Sequence, residues 1–421
     1  MELDAIVLAT DALANVRIAG LTAKERAVRV ARRVGATNVL VATDRSQIAA
    51  WSGQRTVPLL VIRADQLVHT PLVAPLIEAL PSDGIVASVV PENPVVQDLT
   101  PGSPAGAWVA SASRRDELVA NLDSPTATSS VTHGAVARAP IATPAQRRAA
   151  HKVLYTILIK PQDNAITRYL YRPVSFPLTR LLVWTPITPN QVSYLVAVLV
   201  AIGCYLSAKA SNTSVLIGTA ILLAGSYVDC CDGEIARVKL LSSKLGAWID
   251  TIVDELSSIG YMVALGWHCH LVFGTPGLDG WLVANLVGAA AITWSVYCIY
   301  YNIIVAVGSA NSQDYVGAFE IAPGKRDGAV KLVPRAAKAI ATKKPLPPWL
   351  QFLATYLPYV VRRDLIAWVT LGLAALSLAH VSFVLLVAGG IVTATIVTID
   401  HVKLRSLRRS IARRGLQLEA P

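Results

Sequence analysis

Charge is scarce in this chain. Asp, Glu, Lys and Arg make up 15% of its 421 residues, against about 25% in soluble globular proteins. With 53% of residues hydrophobic, a wholly solvated protein is excluded. Cysteine is sparse too, and five residues without regular spacing leave no disulfide framework. "WHCH" (267–270) has no second Cys/His pair to complete a metal site, and it reads as an interfacial Trp/His belt in a short loop between apolar runs. The opening "MELDAIVLATDA" has no basic n-region, so no secretory signal is expected and the front end should lie in the cytoplasm. The formal charge of +11 raises nucleic acid as a partner. Lys and Arg, however, cluster beside apolar runs, as in "KLRSLRRSIARR" (403–414), where they serve membrane orientation and anionic headgroups. No nucleic-acid partner is expected.

Residues 1–122 alternate short apolar runs, "AIVLA" (5–9), "NVLVA" (38–42), "PLLVI" (58–62) and "GIVASVV" (84–90), with helical patterns. Thr22 and Glu25 form a capping-box signature, and Ala27, Val28, Val30, Ala31 and Val34 follow it at helical spacing. This alternation predicts an α/β domain with a parallel sheet. The element order and "LLVIRADQLVHTPLVAPLIEAL" (59–80) resemble sugar-phosphate nucleotidyltransferases, in which an aspartate placed like Asp65 holds a metal. The glycine-rich phosphate loop of that family is missing, since "TDALANVRIAGL" offers Gly20 alone. The domain is therefore expected to be inactive. Residues 123–144, rich in Ser, Thr, Ala and Pro, read as a linker.

Residues 145–186 mix Arg and Lys with Leu, Tyr and Trp and are broken by prolines, which suits helices lying in the membrane interface. Apolar runs at 191–208, 213–228, about 246–265, 281–308, 365–379 and 381–399 predict six spans within 187–405, followed by a basic tail, 406–421. The 309–364 connection carries Lys325, Arg326, Lys331, Arg335, Lys338, Lys343, Lys344, Arg362 and Arg363, whereas 266–280 carries no Lys or Arg. The basic side faces the cytoplasm, and with it both termini.

"DCCDGEIARVKLLSSKLGAWIDTIVD" (229–254) sets four aspartates between two of these runs. Asp229 and Asp232 are three apart, and Asp250 and Asp254 four apart, so each pair shares a helix face. Clustered carboxylates in low dielectric repel unless neutralised. Oxygen-only ligands suit Mg²⁺ or Mn²⁺, and four carboxylates could hold two ions that would bind a pyrophosphate. Two other readings stand beside this one. The acids could form separate salt bridges with Arg237, Lys239 and Lys244. They could also belong to a cation transporter, although no ladder of acids leads toward the far side.

Asp229-x2-Asp232-Gly233-x2-Ala236-Arg237-x8-Gly246-x3-Asp250-x3-Asp254 resembles the signature of the CDP-alcohol phosphotransferase family at every defining position. Upstream, "TPNQVS" (188–193) is similar to the family's entry into its first span, with Ser193 in place of the usual Thr. "KPQDNAITRYLYRPVS" (160–175) looks most like the branch that makes di-myo-inositol phosphates, in which a cytidylyltransferase domain precedes the membrane domain.

The resemblance implies a six-helix membrane transferase with two Mg²⁺ or Mn²⁺ ions. Asp229, Asp232 and Asp250 would hold the first ion, and Asp229, Asp250 and Asp254 the second, with Asp254 as general base. Asp229, Asp232, Gly233, Ala236, Arg237, Ser243, Asn190 and Ser193 would line the nucleotide site, and Gly246 would permit close packing. The donor would be a CDP-alcohol, of CDP-diacylglycerol or CDP-inositol type, and the acceptor inositol or inositol phosphate, with release of CMP. Arg362, Arg363, Lys403 and Arg405 are candidates for the acceptor's phosphate, and Arg168, Arg172 and Arg180 stay open. Glu234, Cys230 and Cys231 fill variable positions. A bifunctional enzyme that also makes its donor from CTP is the alternative. Family members are commonly homodimers, and the plasma (inner) membrane is the expected location.

Overall fold

The computed structural model describes residues 2–309 and 314–419, apart from 53–54, 97, 123–124, 160–162, 164, 325–328, 336–346 and 348–362. Its chain divides into two compact units. One comprises Met1–Asp163, Phe176–Thr188 and Gly233–Leu241; the other comprises Asn164–Ser175, Pro189–Asp232 and Ser242–Pro421.

The first unit is built on a six-stranded sheet. Its spatial order is Asn38–Ala42, Asp4–Leu8, Leu59–Arg63, Pro104–Ala110, Ile85–Val89 and Ser129–Thr132. The first three strands are parallel, with Asp4 registered against Asn38 and Leu59. Pro104–Ala110 runs antiparallel to both neighbours, so the sheet is mixed rather than wholly parallel. Among the described residues, no helix separates Ile85–Val89 from Pro104–Ala110, and a parallel return needs a crossover that a plain loop does not supply. The stretch expected as a linker is partly folded into this unit. Ser129–Thr132 pairs with Ile85–Val89, and Arg138–Pro140 pairs with Gln66–Val68. The capping box forms, with Thr22 Oγ1 accepting from Glu25 N and Glu25 Oε2 accepting from Thr22 N. It starts the helix Ala23–Arg33, which buries Ala27, Val30 and Ala31.

The second unit is helical. Among the described residues, five helices are long and apolar enough to cross a membrane: Pro189–Ser207, Asn212–Val238, Lys244–Phe273, Gly280–Val307 and Ala379–Arg413. The predicted fifth span is the shorter helix Arg363–Ala375, whose 13 residues rise about 20 Å. Large apolar side chains such as Tyr194, Leu195, Leu286 and Val392 are exposed on these helices, as a lipid-facing surface requires. Between the first two, Gly218 allows backbone contact, because a Cβ there would lie 2.5 Å from Gly203 O. "WHCH" is not in a loop but completes the last turns of Lys244–Phe273. His268 Nδ1 lies 2.6 Å from Lys209 O, and His270 Nδ1 lies 2.9 Å from Asp279 Oδ2. The expected basic tail likewise continues the last helix to Arg413. A small sheet of Phe319–Pro323, Ala329–Pro334 and Gln417–Leu418 was not anticipated.

Candidate active site

Asp229 and Asp232 lie one turn apart on the Asn212–Val238 helix, and Asp250 lies near the start of Lys244–Phe273. Two helices joined by a short turn thus bring three carboxylates together, and one oxygen from each falls within 4.8 Å of the others. Asp232 is buried. Ser193, also buried, reaches it from the Pro189–Ser207 helix, its Oγ donating to Asp232 Oδ2 at 2.6 Å. A third helix therefore orients one member of the cluster.

The segment leading into Lys244–Phe273 is shaped by the residues picked out for the nucleotide. Ser243 caps that helix, accepting from Gly246 N at 3.0 Å. A Cβ on Gly246 would stand 3.1 Å from both Asn190 Oδ1 and Ser243 Oγ, so hydrogen here lets the asparagine close in. Asp254, one turn beyond Asp250, is not one of the three clustered carboxylates. It lines a cavity of 280 Å³ together with Asp229. Ser257, Ser258 and Tyr261 are polar neighbours there, and much of the remaining wall is apolar, including Val196, Val200, Leu222 and Leu223. None of these cavity residues other than the aspartates stood out in the sequence. Serines at 257 and 258, one turn past an acid on an apolar helix, were the available signal.

Beyond Asp232 the same helix carries Gly233, Ala236 and Arg237. A Cβ on Gly233 would lie 3.4 Å from Arg237 Nη1, so the guanidinium folds back along its own helix over the glycine. Glu234 is fully buried and accepts from Thr179 Oγ1 at 2.6 Å, a defined partner for a position that had read as variable. Cys231 is buried, whereas Cys230 is partly exposed. Lys239 Nζ donates to Thr185 O at 2.7 Å and to Ile187 O at 3.0 Å. That is the work of a main-chain cap rather than of a salt bridge to the aspartates.

Of the acceptor candidates, Lys403 and Arg405 do not line this cavity. Lys403 Nζ lies 3.5 Å from Asp400 Oδ1, and the Arg405 guanidinium stacks 5.3 Å above the Tyr301 ring. Arg405 borders a separate basic groove with Arg409, Arg413 and Arg414. Arg362 and the side chain of Arg363 lie outside the described residues. Of the interfacial arginines, Arg172 is buried and Arg180 lies over the Tyr155 ring, 5.1 Å away. In the first unit, Asp65 pairs with Arg63.

Residues 186–378 match the family model described as CDP-alcohol phosphatidyltransferase. That stretch is similar to CDP-alcohol phosphatidyltransferases, and it contains the carboxylate cluster, Asp254 and the Ser193 that supports Asp232. A "Bifunctional IPC transferase and DIPP synthase" of Aquifex aeolicus is 33% identical over 36% of this chain and 34% of its own length. A protein of the same description from Rubrobacter xylanophilus is 31% identical over 34% of this chain and 33% of its own. An "Archaetidylinositol phosphate synthase" of Methanothermobacter thermautotrophicus is 28% identical over 23% of this chain and 51% of its own. The matched stretches span about a third of the length of the two bifunctional relatives.

Proposed function

We propose that this protein is a multi-pass membrane transferase that moves a substituted phosphate from a CDP-alcohol to an acceptor alcohol and releases CMP. The observation that carries this reading is the convergence of Asp229, Asp232 and Asp250 from two helices to within 4.8 Å. Their donor set fits a hard divalent cation. Oxygens around Mg²⁺, at about 2.0–2.1 Å from it, stand up to about 4 Å apart, so the cluster needs only a small closure to reach that geometry. Asp229, Asp232 and Asp250 would hold one ion, and Asp229, Asp250 and Asp254 a second. Bound there, such ions supply charge neutralisation and polarisation of a diphosphate.

The chain's own residues account for the rest. Asp254, on the cavity wall, would take the proton of the acceptor hydroxyl as its oxygen bonds to the β-phosphorus and the bond to CMP breaks. Ser193 would keep Asp232 pointed at the cation, and Arg237 would meet the diphosphate as a fixed charge. Gly233 and Ala236 would leave room for the nucleotide on the helix face they share with Asp229, and Asn190 and Ser243 would border it across Gly246. The apolar walls beside Asp229 and Asp254 favour a substrate with a hydrocarbon portion, hence a lipid-tailed CDP-alcohol with inositol or inositol phosphate as acceptor. The relatives named for inositol-containing products support that acceptor class.

Six spans, with Arg363–Ala375 as the fifth, would set both termini and the aspartates on the cytoplasmic side of the plasma membrane, in a homodimer. The nucleotidyltransferase-like front unit would be inactive, a reading supported by the missing glycine-rich loop and by the engagement of Asp65 with Arg63.

The test is incubation of the purified chain with Mg²⁺ and paired CDP-alcohols and acceptors. CMP release with a lipid-tailed donor is the expected result. No CMP from any pair, alongside Mg²⁺ flux in liposomes, would replace the transferase by a cation pathway. CTP consumption would restore the bifunctional alternative.

A further inference from the structure

The first unit contains, besides the front end, the segment Gly233–Leu241 and the juxtamembrane Phe176–Thr188. The Asn212–Val238 helix runs unbroken from Asp229 to its end at Val238. That end is held in an unusual way. Arg26, fully buried, donates from Nη1 to Val238 O at 2.8 Å and from Nη2 to Ile18 O at 3.2 Å, and no carboxylate among the described residues pairs with it. Arg29 Nη1 donates to the next carbonyl, Lys239 O, at 2.7 Å. A helix C-terminus presents orphan carbonyls and the negative end of the macrodipole, so a guanidinium is stabilised there without an acid. Burial pulls the Arg26 guanidinium down to about 10, which leaves it charged at neutral pH.

A second, independent observation concerns Leu240. The helix closes with Leu241 N donating to Ala236 O at 2.8 Å and Leu240 N donating to Arg237 O at 3.3 Å. This Schellman pattern puts Leu240 at φ +56°, a conformation in which glycine is usual. A Cβ there costs about 1–2 kcal/mol. The leucine tolerates it while its side chain is buried in the core of the front sheet, with Leu3, Val30 and Val68. Nearby, Gly20 serves a close approach rather than a phosphate: at φ +79°, its Cβ would lie 1.8 Å from Val183 O. Lys239 meanwhile caps Thr185 O and Ile187 O.

We infer that the front α/β domain serves the transferase as a brace, with Arg26, Arg29 and Leu240 as positioning residues that fix the helix end bearing Gly233, Ala236 and Arg237. The inference rests on the proposed transfer reaction for its kinetic consequence, but not for its structural one. A guanidinium meant to meet a diphosphate gains from being held in place before substrate arrives, because the ordering cost is then met in folding rather than at binding.

The test uses the full chain in detergent or nanodiscs, with Arg29→Ala, Leu240→Ala and Arg26→Lys. Amide exchange across 233–241 should accelerate at least tenfold in Arg29→Ala and Leu240→Ala, while the strand Asp4–Leu8 stays protected. The CDP-alcohol KM should rise at least tenfold, with the acceptor KM unchanged. Arg26→Lys, keeping charge but losing the fork, should fall between these and the wild type. Unchanged exchange at 233–241 in variants with an intact sheet would overturn the brace. So would faster exchange with an unaltered donor KM. Absence of CMP from the wild type would instead count against the transfer reaction and leave the exchange result to decide the brace.

Discussion

In the front unit, the fully buried carboxylate of Asp4 is met by the guanidinium groups of Arg115 at 2.9 Å and Arg55 at 3.0 Å, with Asn38 Nδ2 at 3.1 Å. In the helical unit, Asp229, Asp232 and Asp250 are drawn instead toward one another. Asp4 has its counter-charges built into the fold and leaves nothing for a ligand to supply. A convergence of like charges raises repulsion that a cation would relieve, which suits the metal role proposed for the cluster. In the front unit, Asp65 likewise pairs with Arg63.

The sharpest way to break this comparison is to neutralise one acid on each side. Asp250→Asn should lower CMP release by about a thousandfold or more with little change in melting temperature, and chelation of divalent cations should reproduce the loss until Mg²⁺ is restored. Asp254→Asn should likewise stop turnover while largely sparing CDP binding by calorimetry; retained turnover would remove it as the base. Asp4→Ala should do the opposite, costing about 3–5 kcal/mol in denaturant unfolding of the front unit because Arg115 is left buried and unpaired, with the metal titration unmoved.

Smaller effects sharpen the picture. Ser193→Ala should weaken Mg²⁺ activation about tenfold through the loss of the hydrogen bond to Asp232. In the front unit, burial and the charges of Arg26 and Arg33 lower the His69 pKa to about 4. Since the unfolded chain binds that proton more readily, stability is complete above pH 6.5 and is lost as pH falls toward 4. At pH 5.5 the loss should be about 1 kcal/mol. It should vanish in His69→Phe, as followed by urea unfolding across that range.

Much of the scaffold was legible because burial imprints local periodicity. The capping box at Thr22 and Glu25, the apolar runs that became strands and the long helices are all of that kind. Pro104–Ala110 was not read, since a strand containing Gly106 and flanked by loops has a weak period. Ser129–Thr132 and Arg138–Pro140 looked like linker for a related reason: short strands gain their stability from partners distant in the chain. "WHCH" was misplaced because a helix can run past the apolar stretch that announces it. At the site, the spacing of the aspartates named the cluster. Ser193 was named through a resemblance, as a nucleotide-site residue, but its bond to Asp232 was not read, and Glu234 with Thr179, 55 residues away, left no local trace.

Sequence by itself determined which residues could share a helix face, and so which carboxylates were paired, because helical geometry depends only on spacing along the chain. It also determined the division into an α/β front end and an apolar helical half, since hydropathy is additive along the chain. Tertiary structure alone decided that the two aspartate-bearing helices converge, that Asp254 faces an apolar cavity, and that Arg26 and Leu240 of the front unit hold the end of the helix bearing Arg237. Those outcomes depend on contacts between residues up to 212 positions apart, whose free energy appears only when the chain has closed on itself.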